Sequence, residues 1–212
     1  MSDPGHTAPS DAFRDRLLDA MLSLAAETGW NEAGLHKAVE KAGLNPGQAI
    51  LAVPNGVSDL LDLLGKRAAR VAADRVAQPD AAAMKIREKV AAAVRAWLAA
   101  LEPHKAAVKR AASTPANLLT GPKGLWAAAD AIWSALGDKS TDYNWYTKRT
   151  ILSGVLGSTL VAWLGTDNAS EVDAFLDRRI ENVMQFEKLK GQVLEAVSKM
   201  PDPMDIFGKM KP

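Results

Sequence analysis

No cysteine occurs anywhere in the 212 residues, which excludes a disulfide scaffold, thiolate zinc sites and thiol catalysis and suits a reducing compartment. Aromatic residues make up only 6% of the chain. Neither sign of charge dominates, with 26 basic residues against 25 acidic, so the chain as a whole has no field to draw in a polyanion. Long apolar runs are missing too: no stretch reaches the roughly 18 residues a bilayer span needs. Met1 to Ser10 lacks the basic start and apolar stretch of a secretory signal. The three histidines, His6, His36 and His104, carry none of the Glu-x-x-His or His-Glu-x-x-His spacings that build di-iron or zinc sites on helices. Glycine-rich phosphate loops are absent, and no nucleophile can be paired with a base. These absences predict a protein that is not an enzyme, with no cofactor and no metal.

What is present is helix. The apolar share is 48% and alanine is abundant, a composition suited to closely packed helices. Phe13, Leu17, Leu18, Met21, Leu22 and Ala25 recur at helical spacing and predict a helix over 11–28 closed by Gly29. Asn31 caps a short helix reaching Ala42, Gly43 stops it, and Pro46 opens another at a favoured first-turn position. After the Val53-Pro54-Asn55-Gly56 turn come helices over about 57–76, 82–101, 104–113, 123–136, 140–165 and 170–200, the last stopped by Pro201 and Pro203. No period-2 pattern marks a strand. Two short helices about a tight glycine turn, between longer ones, read as a helix-turn-helix. The expected layout is a disordered start at 1–10, a helix-turn-helix-like part at 11–56, a helical domain at 57–200 and a separate tail at 201–212. The wide apolar stripe from Val172 to Val197 exceeds what one partner face needs and predicts a homodimer through the last two helices.

Charge is distributed unevenly. Residues 1–60 hold four basic against eight acidic side chains, a balance of −4 that leaves +5 for the remainder. The segment in the recognition-helix position, Pro46-Gly47-Gln48-Ala49-Ile50-Leu51-Ala52, has no lysine or arginine, and only Asn45 and Gln48 could read a base edge. A helix-turn-helix without phosphate contacts predicts no nucleic-acid binding.

The densest chemistry lies in Gly137-Asp138-Lys139-Ser140-Thr141-Asp142-Tyr143-Asn144-Trp145-Tyr146-Thr147-Lys148-Arg149. On a helix, Asp142, Trp145, Tyr146 and Arg149 fall at i, i+3, i+4 and i+7 and share a face. Trp, Tyr and Arg offer large buried area with a polar handle, the composition of a docking surface. The same spacing also fits half-buried aromatic anchors beside a solvated Asp142–Arg149 pair. This run, with Phe175-Leu176-Asp177-Arg178-Arg179 downstream, resembles the TetR-like accessory family of ubiquinone biosynthesis. The resemblance is strong over about 137–187 and thin in the alanine-rich middle and the tail.

The resemblance implies an all-α, TetR-like, dimeric fold: an N-terminal helix-turn-helix of three short helices plus a C-terminal helical ligand and dimerisation domain. It implies a non-catalytic protein that binds an isoprenoid quinone or other lipid and presents it to the demethoxyubiquinone hydroxylase. Asp142, Trp145, Tyr146 and Arg149 would then be the partner-binding face. The lipid cavity would lie among Trp97, Leu101, Leu119, Trp126, Trp133, Leu152 and Leu156. Each isoprene unit sequestered is worth about 3–4 kcal/mol at about 0.8 kcal/mol per methylene. In the tail, Met204, Ile206, Phe207 and Met210 alternate with Lys209 and Lys211, which reads as a weak membrane-contacting foot. Family members carry a longer amphipathic helix there. The expected location is cytoplasmic and peripheral at the inner membrane. The alternative function is a TetR-like transcriptional regulator sensing a hydrophobic effector.

Overall fold

The computed structural model describes residues 8–114 and 121–198, apart from the side chains of Asp142 and 186–198. Helix α1 (Pro9–Thr28) begins two residues earlier than the apolar pattern suggests. Pro9 stands in its first turn, where a fixed φ and a missing N–H cost nothing. The first two helical residues therefore fall inside the stretch expected to be disordered. Helix α2 (Glu32–Lys41) starts where expected, with the Asn31 side chain accepting from the Gly34 N–H at 2.9 Å. Gly43, at φ 62°, turns the chain into α3 (Pro46–Ala52). At the N-terminus of α3, Asn45 and Gln48 form a reciprocal capping box: each side-chain oxygen accepts the other's backbone N–H, at 2.9 and 3.0 Å.

Helix α4 (Val57–Ala77) is the spine. Its buried face is Leu60, Leu64, Ala68, Ala69, Ala72 and Val76, and it packs mainly against α5 (Ile86–Leu101) and α7 (Gly121–Ala135). Four of those six positions are alanine or valine, which lets neighbouring helices approach closely, while Leu60 and Leu64 contribute about 1.5–3 kcal/mol each. The expected helix start at 82 is displaced. Residues Pro79–Ala83 form a 3₁₀ turn, and α5 begins at Ile86, where the Glu88 carboxylate accepts the Lys85 N–H. A second 3₁₀ turn, Glu102–His104, leads into α6 (Lys105–Ala112), so His104 ends a turn as a helix-start residue. Helices α8 (Asp142–Gly165) and α9 (Ala169–Ser198) complete the described chain. Among the described residues, every regular element is helical, as the missing period-2 pattern predicted.

Three contacts fasten the N-terminal part to the rest. Arg67 on α4 reaches Asp19 at 2.6 Å and Asp15 at 2.8 Å on α1. The buried Trp30 donates its indole N–H to the Ala107 carbonyl of α6 at 2.8 Å, and α1 itself packs on α6. Across the other end, Arg95 on α5 forks onto Asp173 and Asp177 of α9, both at 2.7 Å. Such exposed pairs add about 0–1 kcal/mol each and serve to set register. One buried cluster runs from Leu17 through Leu176. Inside α8, Gly157 allows close packing: a Cβ there would meet Leu125 of α7 at 3.1 Å. Gly154 faces open space instead.

Candidate lipid cavity and docking face

A cavity of about 250 Å³ opens between α5, α7, α8 and α9. Its walls are Val90 of α5, Trp133 of α7, Ile151, Leu152 and Val155 of α8, and Ile180 and Val183 of α9. Polar groups gather in the same lining: Arg87, Asn144, Thr147 and Lys148. Ile86 and Met184 also line it and are largely exposed, so apolar side chains reach solvent beside it. For scale, a dry 150 Å³ cavity in another protein holds benzene, so this one has room for about one or two isoprene units. An apolar chamber with a few polar groups is the arrangement that orients an amphipathic ligand.

The lipid-binding residues expected from the sequence divide. Trp133 and Leu152 line the cavity. Trp97, Leu101 and Leu156 are buried in the common core, and the Trp97 indole N–H has no hydrogen-bond partner among the described residues. Trp126 is half-buried in an aromatic cluster with Trp145, outside the cavity lining. Leu119 lies outside the described residues, as do the membrane-contacting candidates Met204, Ile206, Phe207 and Met210. The lining from the start of α5 and the middle of α9 was missed, because only tertiary packing brings Ile86, Val90, Ile180 and Met184 together.

Next to the cavity stands the ionic and aromatic corner of the 137–149 run. Helix α7 ends in a left-handed glycine, Gly137 at φ 73°. The Gly137 N–H donates to Ser134 at 3.0 Å and the Asp138 N–H to Trp133 at 3.1 Å, a Schellman pair. That turn drives the Asp138 side chain inward until only 4% of it is exposed. There it accepts from Lys148 at 2.6 Å, the Ser140 hydroxyl at 2.7 Å, the Arg149 guanidinium at 3.1 Å and the Ser140 N–H at 3.3 Å. Burial alone would push this carboxyl up. The hydrogen bonds from Lys148, Ser140 and Arg149 override burial and hold it far below the usual carboxylate range.

Arg149 departs from the expectation of a partly exposed docking cation or a solvated pair with Asp142. It is 2% exposed and its donors are committed within the chain: Nε to Asp130 at 2.6 Å, Nη1 to Asp138 at 3.1 Å and to the Trp145 carbonyl at 3.3 Å. The physical reason lies in α7. That helix supplies Asp130 and the turn after it supplies Asp138, two carboxylates on the α8 face where Arg149 emerges, and sequence spacing within α8 could not show them. The guanidinium also lies 4.0 Å from the centre of the Trp145 ring, and Lys148 stands over Trp133, both cation–π contacts. Trp145 in turn meets Tyr146 edge-on with centroids 4.8 Å apart, and Trp126 at 5.9 Å. Trp145 is half-buried, whereas Tyr146 is 61% exposed. The side chain of Asp142 is outside the described set. The outcome is an aromatic platform standing on a buried ionic base.

Among the described residues, no group of three or more histidine or acidic side chains could hold a metal. No helix there is long and apolar enough to cross a membrane.

Comparison with known proteins places this corner. Residues 118–187 match the COQ9 family model. The chain is 26% identical to the "Ubiquinone biosynthesis protein COQ9, mitochondrial" of Rattus norvegicus, over 86% of this chain and 62% of the relative. It is 38% identical to COQ9-A of Xenopus laevis over 33% of this chain and 23% of the relative. In fold it is similar to a TetR transcriptional regulator from Nitrosomonas europaea, with a TM-score of 0.63, 16% identity, and coverage of 81% of this chain and 97% of that one. Residues 118–187 are thus similar to the COQ9 family, and the described chain has a TetR-like fold. It spans about 62% of the length of the rat relative it matches. The family region contains the whole ionic corner and the α7, α8 and most of the α9 walls of the cavity.

Proposed function

We propose that this chain is a non-catalytic accessory protein of ubiquinone biosynthesis that takes up an isoprenoid quinone intermediate and presents it to the demethoxyubiquinone hydroxylase. The observation that carries the reading is that an apolar cavity and the aromatic platform of Trp126, Trp145 and Tyr146 are built on the same two helices, α7 and α8, within the COQ9-like region. Lys148 belongs to both: it lines the cavity and binds Asp138, which also holds Arg149 beneath Trp145. A partner docked on the platform would sit beside the cavity. The chain then needs only to hold the apolar tail while the partner does the chemistry.

A cavity of about 250 Å³ in one chain holds the start of a tail, so the proposal includes a homodimer through α8 and α9. Val161, strongly exposed on α8, fits such a face. Weak membrane contact through Met204, Ile206, Phe207 and Met210 would complete the route from a bilayer, with the protein peripheral at the inner membrane. The regulator alternative gains support only from the TetR-like fold. The Asn45 and Gln48 side-chain oxygens are both engaged in capping α3, which leaves little to read DNA.

The test is turnover of vesicle-bound demethoxyubiquinone by purified hydroxylase with and without this chain. The chain should raise the rate, Ile151→Trp should abolish the gain by filling the cavity, and Tyr146→Ala should abolish it by weakening docking. Equal rates with and without the chain would contradict the reading.

A further inference from the structure

Helix α3 occupies the recognition position of the helix-turn-helix, and what it presents to solvent is apolar. Ile50 is 70% exposed and Leu51 56%. Gly47, at i−3 and i−4 from them, is exposed on the same face, and Pro54 follows exposed in the next turn. Two adjacent large aliphatic side chains in water leave apolar area that a partner could remove from solvent. The helix that carries them is rigid. Asn45 and Gln48 cap its start, and Arg14 of α1 donates its Nε–H to the Ala52 carbonyl at its end, at 2.6 Å. A short helix fixed at both ends presents Ile50 and Leu51 with little ordering entropy left to lose on binding.

The surrounding charge selects the occupant. Most cations of this part are engaged within the chain: Arg14 with Ala52, Arg16 with the Ala42 carbonyl, Lys41 with Ser23, and Arg67 of α4 with Asp15 and Asp19, while Lys37 on α2 is exposed. Acids of the same part face outward, among them Glu27, Glu32 and Glu40, all exposed, and residues 1–60 carry −4. This surface repels DNA and the anionic face of a membrane. It also repels a copy of itself across a two-fold axis, since the same acidic patch would meet its equal. We infer that α3 is a docking helix for a protein partner that offers an apolar groove rimmed by lysine or arginine, with Ile50 and Leu51 as its anchors. The helix-turn-helix is then an interaction module whose reading surface has changed from polar and cationic to apolar within an acidic setting.

The probe is an 18-residue lysine–leucine amphipathic peptide, with a glutamate–leucine peptide of the same apolar face as its twin. Binding to the full chain is followed by fluorescence anisotropy, beside a duplex DNA and vesicles of zwitterionic and anionic lipid. The lysine peptide should bind, weaken as salt rises, and weaken about tenfold or more with Ile50→Ser combined with Leu51→Ser. The exposed-surface control Val71→Ser on α4 should leave binding unchanged, and the double variant should keep its Tm. The inference is overturned if the lysine peptide binds the double variant equally, or if the glutamate twin binds as well as the lysine peptide. Loss of DNA binding, vesicle binding or self-association in the double variant would assign the face to that occupant instead.

Discussion

Two parts of this molecule treat their charged residues in opposite ways. In the helix-turn-helix, Arg14 and Arg16 close helix ends by donating to Ala52 and Ala42, and the surface left over is Ile50 and Leu51 among acids. At the α7–α8 corner the ionic groups themselves go inside: Asp138 and Arg149 are both nearly fully buried, with Lys148 and Asp130 as their half-exposed partners. The aromatic rings then form the outer surface. The lesson is that one helical scaffold can leave its helix-turn-helix surface apolar among acids while concentrating ionic groups inside another corner. A buried ionic cluster costs desolvation and is weak evidence for stability as such. Its value at this corner is to fix where Trp145, Tyr146 and the cavity wall stand.

The contrast breaks most sharply at Arg149. Replacing it with Met leaves the buried Asp138 with Lys148 and Ser140 but without its buried cation, and removing one member of a buried pair costs up to about 3–5 kcal/mol; a substantial fall in Tm by calorimetry is the expected result. Arg149→Lys should recover only part of the loss, because an ammonium cannot span Asp130, Asp138 and the Trp145 carbonyl at once. In the helix-turn-helix, Arg16→Met should cost about 1 kcal/mol or less, since its acceptor is an exposed helix end.

The pH dependence sharpens the same point. The folded Asp138 carboxyl titrates below its unfolded value of about 3.9. Its contribution is therefore fully present above about pH 4 and is lost as pH falls from there toward the folded value. The stability gap between the native chain and Asp138→Asn should be constant from pH 7 to about pH 5 and shrink below about pH 4. Urea titrations at each pH measure it.

A smaller effect separates surface from support on the platform. Tyr146→Ala should weaken hydroxylase binding by about 2 kcal/mol, as a truncated anchor does, and shift stability by about 0.5 kcal/mol or less. Trp145→Ala should lower both affinity and Tm, because that ring also covers Arg149. The smallest signal is expected at the other end: no shift of duplex DNA at physiological salt, whether or not Asn45 and Gln48 are changed.

Much of the fold could be read from the sequence because its signals are local. Asn31 capping, Pro46 at a first turn, Gly29 and Gly43 as stops, and the spacing of Leu17, Leu18, Met21 and Ala25 each act within a turn or two of themselves. The start of α5 was misjudged for the same reason, since Ala81–Ala83 suit a helix but Pro79 holds them in a 3₁₀ turn. The 137–149 run was visible as unusual, and Gly137 marked the turn that buries Asp138. What stayed hidden was non-local. Nothing in the spacing of α8 could pair Arg149 with Asp130 on another helix, or bring Ile86, Ile180 and Met184 to one cavity.

The central claim is that the cavity between α5, α7, α8 and α9 carries an isoprenoid lipid. The direct test is organic extraction of the purified native-host chain followed by mass spectrometry, with Ile151→Trp purified in parallel. A quinone intermediate or related isprenoid lipid should be recovered at up to one per cavity from the native chain and be depleted from the variant. Recovery of no lipid from the native chain, or of equal amounts from both, would contradict the account.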